Sequence, residues 1–409
     1  MNKNNDITEL VGIQGWKVVG FEINEKENRL IMQIERCDNT FYKCAQCGES
    51  YLFAYDFFPE RIIEDIPAWG RRTFIRYRQA RVKCTKCGKV CMEKLSFVEP
   101  YQHQSMRYQR FLASLCDYMP VADVSDFSGL DKDTLYRIDK RYLEERRKCF
   151  SHENEVLFLG IDEIALKKGH KYAAVFYDLE RGEVIGLVKG RKQRNVSGFF
   201  RRWGKDKCRK VIAACTDLWA AYHNSVKIHL KQADLVFDKF HVFKYLSDTV
   251  DDVRRTEQNK VEKEGKQLIK GCRWIMLKKD LTRNQKRKLT EIMEQNQTIA
   301  KAMLLKDGFT AFYEAETAEK AEAILDEWTE QCKESGIPQF KKLAKRLNRW
   351  KSGILAFFKH RITNAVAEGI NNKIKVIKRR SYGFHDMDYF FNKILQATGL
   401  IPHMKVAYP

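Results

Sequence analysis

A chain of 409 residues with 75 Lys and Arg against 54 Asp and Glu carries a net charge of +21 and a pI near 9.4. That length allows roughly two to four domains, and the basic excess points to a polyanion partner such as nucleic acid. With no apolar run of roughly 18 residues, a membrane-spanning helix is excluded.

The first residues, Met1-Asn-Lys-Asn-Asn-Asp6, lack the apolar core of a signal peptide, so the chain is expected to remain in the cytoplasm, beside the nucleoid. Twelve cysteines then suit metal binding in a reducing compartment better than a disulfide framework. Cys44-Ala-Gln-Cys47-Gly and Cys84-Thr-Lys-Cys87-Gly are two C-x-x-C knuckles, each followed by glycine. This is the pattern of a four-thiolate zinc ribbon, expected within residues 1–100. Cys91 is an alternative to Cys87 as the fourth ligand. Between the knuckles, Arg72 to Lys83 alternates as a strand that could bridge them.

Residues 101–150 turn helical. One helix is expected from Met106 to Tyr118 and a short one from Val121 to Ser128. A break at Gly129-Leu130 follows, then a third helix capped by Asp131. Two helices joined by a glycine-containing turn have the form of a helix-turn-helix, although a plain three-helix connector has the same pattern. As a reader of DNA, the third helix would present Lys132, Thr134, Arg137 and Arg141.

The apolar runs Val156–Ile161 and Val211–Thr216 end at Asp162 and Asp217. A carboxylate at the end of a buried strand is costly unless paired or metal-bound, and two such strands invite a shared divalent cation. Strands are also expected at 171–178, 183–189 and 233–237, with helices at 195–205 and 218–230 and another starting at His241. Three strands followed by alternating strand and helix is the order of an α/β, ribonuclease-H-like domain in which the first and fourth strands are neighbours. Its first part is assigned to 151–250. Residues 251–340 read as a charged helical insertion anchored by Trp274 and Trp328, and 341–409 as the final part of the catalytic domain.

Between Pro338 and Arg380 there are thirteen Lys or Arg and one acid, Glu368. At about 100° per residue, Asn364, Glu368, Asn371, Lys375 and Arg379 share one stripe of a helix. Ile362, Val366, Ile370, Ile374 and Ile377 fall opposite, as the face packed on the sheet. Asp162, Asp217 and Glu368 are therefore the expected holders of divalent cations for phosphoryl transfer on DNA. Arg191, Arg194, Arg201, Arg202, Asn371, Lys375 and Arg379 would grip its backbone.

These motifs, together with Asp65-Ile-Pro-Ala-Trp-Gly70, Thr216-Asp217-Leu-Trp219, Asp238-Lys-Phe-His241 and Asn364-Ala-Val-Ala-Glu368-Gly-Ile-Asn371, resemble the DDE transposases of bacterial insertion sequences, of the ISL-three family. The resemblance spans nearly the full chain. It implies that Asp162, Asp217 and Glu368 form the DDE triad and that Mg2+ (or Mn2+), two ions per site, is the cofactor beside structural Zn2+. It also implies double-stranded DNA partners, the terminal inverted repeats and target DNA, bound by a homodimer or larger oligomer with no membrane involved. Asp238 and His241 resemble an auxiliary D-x-x-H pair, though helix capping explains Asp238 equally well. A transposase-derived DNA-binding regulator, or a nuclease without strand transfer, is the alternative.

Overall fold

The computed structural model describes residues 7–38, 40–149, 154–167, 171–261, 263–278, 280–381 and 383–404. The chain divides into two compact units, residues 1–149 with 401–409, and residues 150–400.

The first unit opens with α1 (Thr8–Val11), β1 (Trp16–Asn24) and β2 (Arg29–Arg36), followed by the short strands β3 (Tyr42–Lys43), β4 (Ser50–Tyr51) and β5 (Asp56–Phe57). Then come β6 (Arg61–Ala68), β7 (Arg71–Tyr77), β8 (Ala80–Cys84) and β9 (Lys89–Met92). A four-stranded sheet in the order β1-β2-β7-β6 is the larger part of this region. Alternation on β2 turns Leu30, Met32 and Ile34 into a core with Trp16, Ile63, Ile75, Tyr77 and Phe97. The stretch expected as one strand from Arg72 to Lys83 is two, β7 in the large sheet and β8 in a three-stranded sheet β5-β8-β9. The break is at Gln79, whose buried amide donates to the Glu93 carbonyl at 2.9 Å.

Three helices follow: α2 (Met106–Cys116), α3 (Val121–Ser128) and α4 (Lys132–Cys149). Ser105 caps α2 by accepting from Tyr108 N, and Asp131 Oδ1 accepts from Thr134 N at 2.8 Å at the start of α4. Between α3 and α4 the chain reverses at Gly129, whose φ of 72° is open to glycine without strain. The three helices close over Tyr108, Leu112, Val124, Leu135 and Ile138. The residues after 400 belong here and not to the catalytic part, where 341–409 had been expected to end. Arg146 Nη1 donates to the Pro402 carbonyl at 2.8 Å, and Met404 N donates to Asp117 Oδ2 at 2.7 Å.

In the second unit, β10 (Phe158–Lys167), β11 (Lys171–Asp178) and β12 (Glu183–Lys189) precede α5 (Gln193–Trp203), α6 (Lys205–Lys210) and β13 (Ala213–Thr216). Next are α7 (Ala220–His229), β14 (Asp234–Phe237) and α8 (Lys239–Lys260). These strands form one sheet, β12-β11-β10-β13-β14, with β10, β13 and β14 parallel and β10, β11 and β12 antiparallel. The first and fourth strands of the unit are thus neighbours. β10 runs on through Asp162 to Lys167, so Asp162 lies within a strand and not at its end.

The chain continues as α9 (Lys263–Ile269), α10 (Arg273–Leu277), α11 (Arg283–Gln295), α12 (Gln297–Glu314), α13 (Ala318–Glu334) and α14 (Pro338–Arg349). It closes with α15 (Lys351–His360), α16 (Ala365–Arg380) and α17 (Met387–Ala397). Helices α8 and α12 to α15 share a core with the sheet: Ala213, Val236 and Phe237 pack in one cluster with Val242, Phe309, Trp328, Phe340 and Ile354. Trp328 is an anchor as expected, its indole N–H donating to the Leu305 carbonyl at 2.7 Å. Trp274 is not; it is 74% exposed.

Helix α15 crosses β14 at Gly353, where a Cβ would lie 2.6 Å from the Phe237 ring and 3.2 Å from the Leu235 carbonyl. Neither the buried ring nor the strand backbone can give way cheaply. Gly353→Ala is expected to destabilise this unit by about 1–3 kcal/mol, read as a lower midpoint in chemical unfolding; an unchanged midpoint would mean that the helix can shift without loss.

Candidate active site

Parallel pairing of β10 with β13 aligns Ile161 with Thr216, so the next residues, Asp162 and Asp217, emerge side by side. Both oxygens of Asp162 are held. Oδ1 accepts from Glu163 N and Oδ2 from Asn371 Nδ2, each at 2.7 Å. Burial, and then the charge of Asp217, raise the Asp162 pKa to about 6. Asp217 is fixed through its main chain, whose carbonyl accepts from His223 Nε2 at 3.0 Å and from Trp219 N at 2.8 Å. Its Oδ1 is buried, lies 2.5 Å from His241 Nε2 and makes no hydrogen bond of acceptable geometry.

His241 sits in the first turn of α8, a helix capped by the buried Asp238, whose Oδ1 accepts from Phe240 N at 3.4 Å. Burial opposes a charged imidazole there, but Asp217, Asp238 and Asp162 outweigh it and raise the His241 pKa. Ligand atoms of Asp162, Asp217 and His241 lie within 4.8 Å of one another. Three such donors, two carboxylates and an imidazole, suit a divalent cation.

Glu368 lies outside that group, exposed in the first turn of α16. The helix docks on β10 through Asn364 Nδ2 to the Ile161 carbonyl (3.3 Å), Asn371 to Asp162, and Lys378 Nζ to the Ala165 carbonyl (3.1 Å). Its packed face is therefore Asn364, Ala367, Asn371, Ile374 and Lys378; Ile374 is buried as the apolar stripe predicts, but the rest of that face is Ala367 and polar residues. Val366, assigned to the buried side, is 37% exposed. The carboxylate and the Ile161 and Ala165 carbonyls on β10 explain why polar side chains face inward. Glu368 falls about 60° around the helix from Asn371.

The expected DNA contacts divide. Lys132, Arg137, Arg194, Lys375 and Arg379 are exposed, and Thr134 is half-buried and accepts from Arg137 Nη2 at 3.1 Å. Arg141 is engaged by Glu99 and Gln109 and lies over the Tyr142 ring. Arg191 makes two 2.8 Å bonds to Glu163 between the rings of Tyr172 and Trp219. Arg201 and Arg202 end α5. Arg201 acts on His229, which ends α7, a helix that begins beside Asp217.

In the other unit the four knuckle cysteines converge, with Cys44 and Cys84 buried and Cys47 and Cys87 half-buried. Sγ distances are 3.9 Å for Cys44–Cys87 and 3.5 Å for Cys47–Cys84, and the Tyr51 hydroxyl donates to Cys84 Sγ at 3.2 Å. That hydrogen bond draws the Cys84 thiol down to about 6, towards the thiolate a metal requires. Gly48 and Gly88, with φ of 76° and 69°, turn the chain after each knuckle. Cys87 is the fourth member; Cys91 packs behind the group in its apolar surround. The sequence pattern singles out neither His223, whose ring holds the Asp217 carbonyl, nor Tyr177, whose hydroxyl donates to Asn371 Oδ1 at 2.8 Å.

A family model described as a transposase, the DDE domain of the ISL3 type, matches residues 159–394, and the helix-turn-helix domain of transposase family ISL3 matches residues 93–143. The chain is 31% identical over 395 residues to the transposase for insertion sequence element IS1001 of Bordetella parapertussis, covering 95% of this chain and 96% of the relative. It is 26% identical over 277 residues to the transposase for insertion sequence element IS1557 of Mycobacterium tuberculosis, covering 62% and 60%. The chain thus belongs to the ISL3 family of transposases, DNA-binding enzymes that use divalent metal to cleave DNA and transfer its strands.

Proposed function

We propose that this transposase binds the terminal inverted repeats of its own insertion sequence and cuts and joins DNA at a ribonuclease-H-like centre whose triad is Asp162, Asp217 and Glu368. The observation that carries the reading is the convergence of ligand atoms of Asp162, Asp217 and His241 within 4.8 Å of one another. Burial first, and then the charge of Asp217, make it costly to ionise Asp162, and a bound cation offsets both. Asp162, Asp217 and Glu368 would hold the divalent cations, with His241 as a further ligand beside Asp217. Bound there, Mg2+ (or Mn2+) would lower the pKa of the attacking water and stabilise charge on the departing oxygen.

The protein's own groups do the rest. Glu163 N and Asn371 hold the Asp162 carboxylate, His223 holds the Asp217 main chain, and Lys375 and Arg379 offer charge to phosphates along α16. A 3′-hydroxyl freed by hydrolysis can occupy the position of the first water, so one centre serves both cleavage and strand transfer. Handling two ends at once calls for a homodimer or larger assembly. The four cysteines would hold a structural Zn2+, which four thiolates in this arrangement favour.

Asp162→Asn, Asp217→Asn and Glu368→Gln are each expected to abolish metal-dependent cleavage of an end-bearing plasmid while DNA binding survives. Near-normal cutting by any one would remove that residue from the triad. Elemental analysis should find about one zinc per chain, lost in Cys44→Ser and Cys84→Ser together with the fold around the knuckles; wild-type protein free of zinc would rule the centre out.

The helix-turn-helix reading predicts a contrast between two bases. Arg137→Ala should weaken binding to the cognate end by about 1–3 kcal/mol and leave unrelated DNA nearly unaffected. Lys375→Ala should weaken both alike and lower the salt slope by about one. Titrations on cognate and scrambled ends at several salt concentrations separate the two. Equal losses on both DNAs for Arg137→Ala would make α4 only a basic surface.

A further inference from the structure

Asn371 was expected to touch DNA, as one member of a polar stripe. Its surroundings point elsewhere. Nδ2 donates to Asp162 Oδ2 at 2.7 Å, and Oδ1 accepts from the Tyr177 hydroxyl at 2.8 Å. Tyr177 is wholly buried on β11, so its hydroxyl has no solvent to turn to. An ionised carboxylate can only accept, so the amide must present its NH2 to Asp162, and the tyrosine hydroxyl is then the donor to the amide oxygen. A flipped amide would set oxygen against oxygen.

We propose that Asn371 is a positioning residue of the catalytic centre, locked by Tyr177, which fixes the rotamer of Asp162 and the register of α16 in a single contact. The inference rests on the reading of Asp162 as a metal ligand. With Oδ2 held by Asn371 and Oδ1 by Glu163 N, the carboxylate cannot rotate, and its remaining lone pairs face the gap shared with Asp217. Because Glu368 precedes Asn371 by three residues on the same helix, the amide that orients Asp162 also sets how far along β10 Glu368 stands. Asn364 and Lys378, bonded to the Ile161 and Ala165 carbonyls, anchor the helix on either side of this contact. The Tyr177 hydroxyl donates to Asn371 Oδ1, so its hold on the Asp162 rotamer is exerted through that amide.

The test is Mn2+ binding to the full-length protein without DNA, followed by electron paramagnetic resonance, beside DNA affinity at several salt concentrations. Asn371→Ala is expected to weaken Mn2+ binding by about 10-fold or more and to raise the metal concentration needed for half-maximal cleavage, with DNA affinity and salt slope unchanged. Tyr177→Phe, which keeps the buried ring, should move Mn2+ binding in the same direction by a smaller factor, and it carries the test should Asn371→Ala fail to fold. If both variants bind Mn2+ as wild type does while Asp162→Asn does not, the positioning role is overturned. Loss of DNA affinity with a reduced salt slope in Asn371→Ala, and intact metal binding, would likewise overturn it in favour of a phosphate contact. Intact Mn2+ binding in Asp162→Asn would instead remove Asp162 as a ligand, and the inference with it.

Discussion

The short parallel ladder between β10 and β13 is the constraint on which the candidate centre depends. Four residue pairs, Phe158–Ala213 to Ile161–Thr216, bring two buried strands into register and deliver two carboxylates to one place. The arrangement is costly for an unliganded protein, since burial and mutual repulsion both oppose ionisation. It becomes favourable once a cation is shared. The surrounding structure resists relaxation of that repulsion. Asp162 is held by two donors, and the Asp217 main chain is held by the His223 ring and by Trp219 N.

The helical region contributes through packing. Phe237 ends β14 one residue before Asp238, the cap of the helix that brings His241 to Asp217. It packs in one cluster with residues of α12 to α15, and Gly353 lets α15 approach it closely. The long excursion from α8 to α14 is therefore continuous with the catalytic core. A change in its packing can reach Asp217 and His241 through β14 and the start of α8.

Some of this was legible in the chain. The cysteine knuckles are read from local spacing, and Gly129 marks the helix-turn-helix because a left-handed turn leaves little choice of residue. Asp162 and Asp217 stand out because each follows an apolar run, although the run before Asp162 ends inside β10 and not at its tip. The β1-β2-β7-β6 sheet was not legible, since the parallel contact of β2 with β7 joins segments far apart in sequence. Periodicity put Asn364 and Asn371 on one stripe but not on the inner side, because that depends on β10 presenting a carboxylate and open carbonyls. Charge alone also does not show that Glu99 and Glu163 engage Arg141 and Arg191 within their own units.

The most direct measurement is a crystal of the protein bound to a cleaved end in Mn2+, with anomalous differences collected at the manganese edge. The account predicts a peak between Asp162 and Asp217, with His241 or Glu368 completing the coordination, and Asn371 still on Asp162 Oδ2. A fully occupied end complex with no anomalous density at the two aspartates, or with the metal held by other side chains, would contradict it.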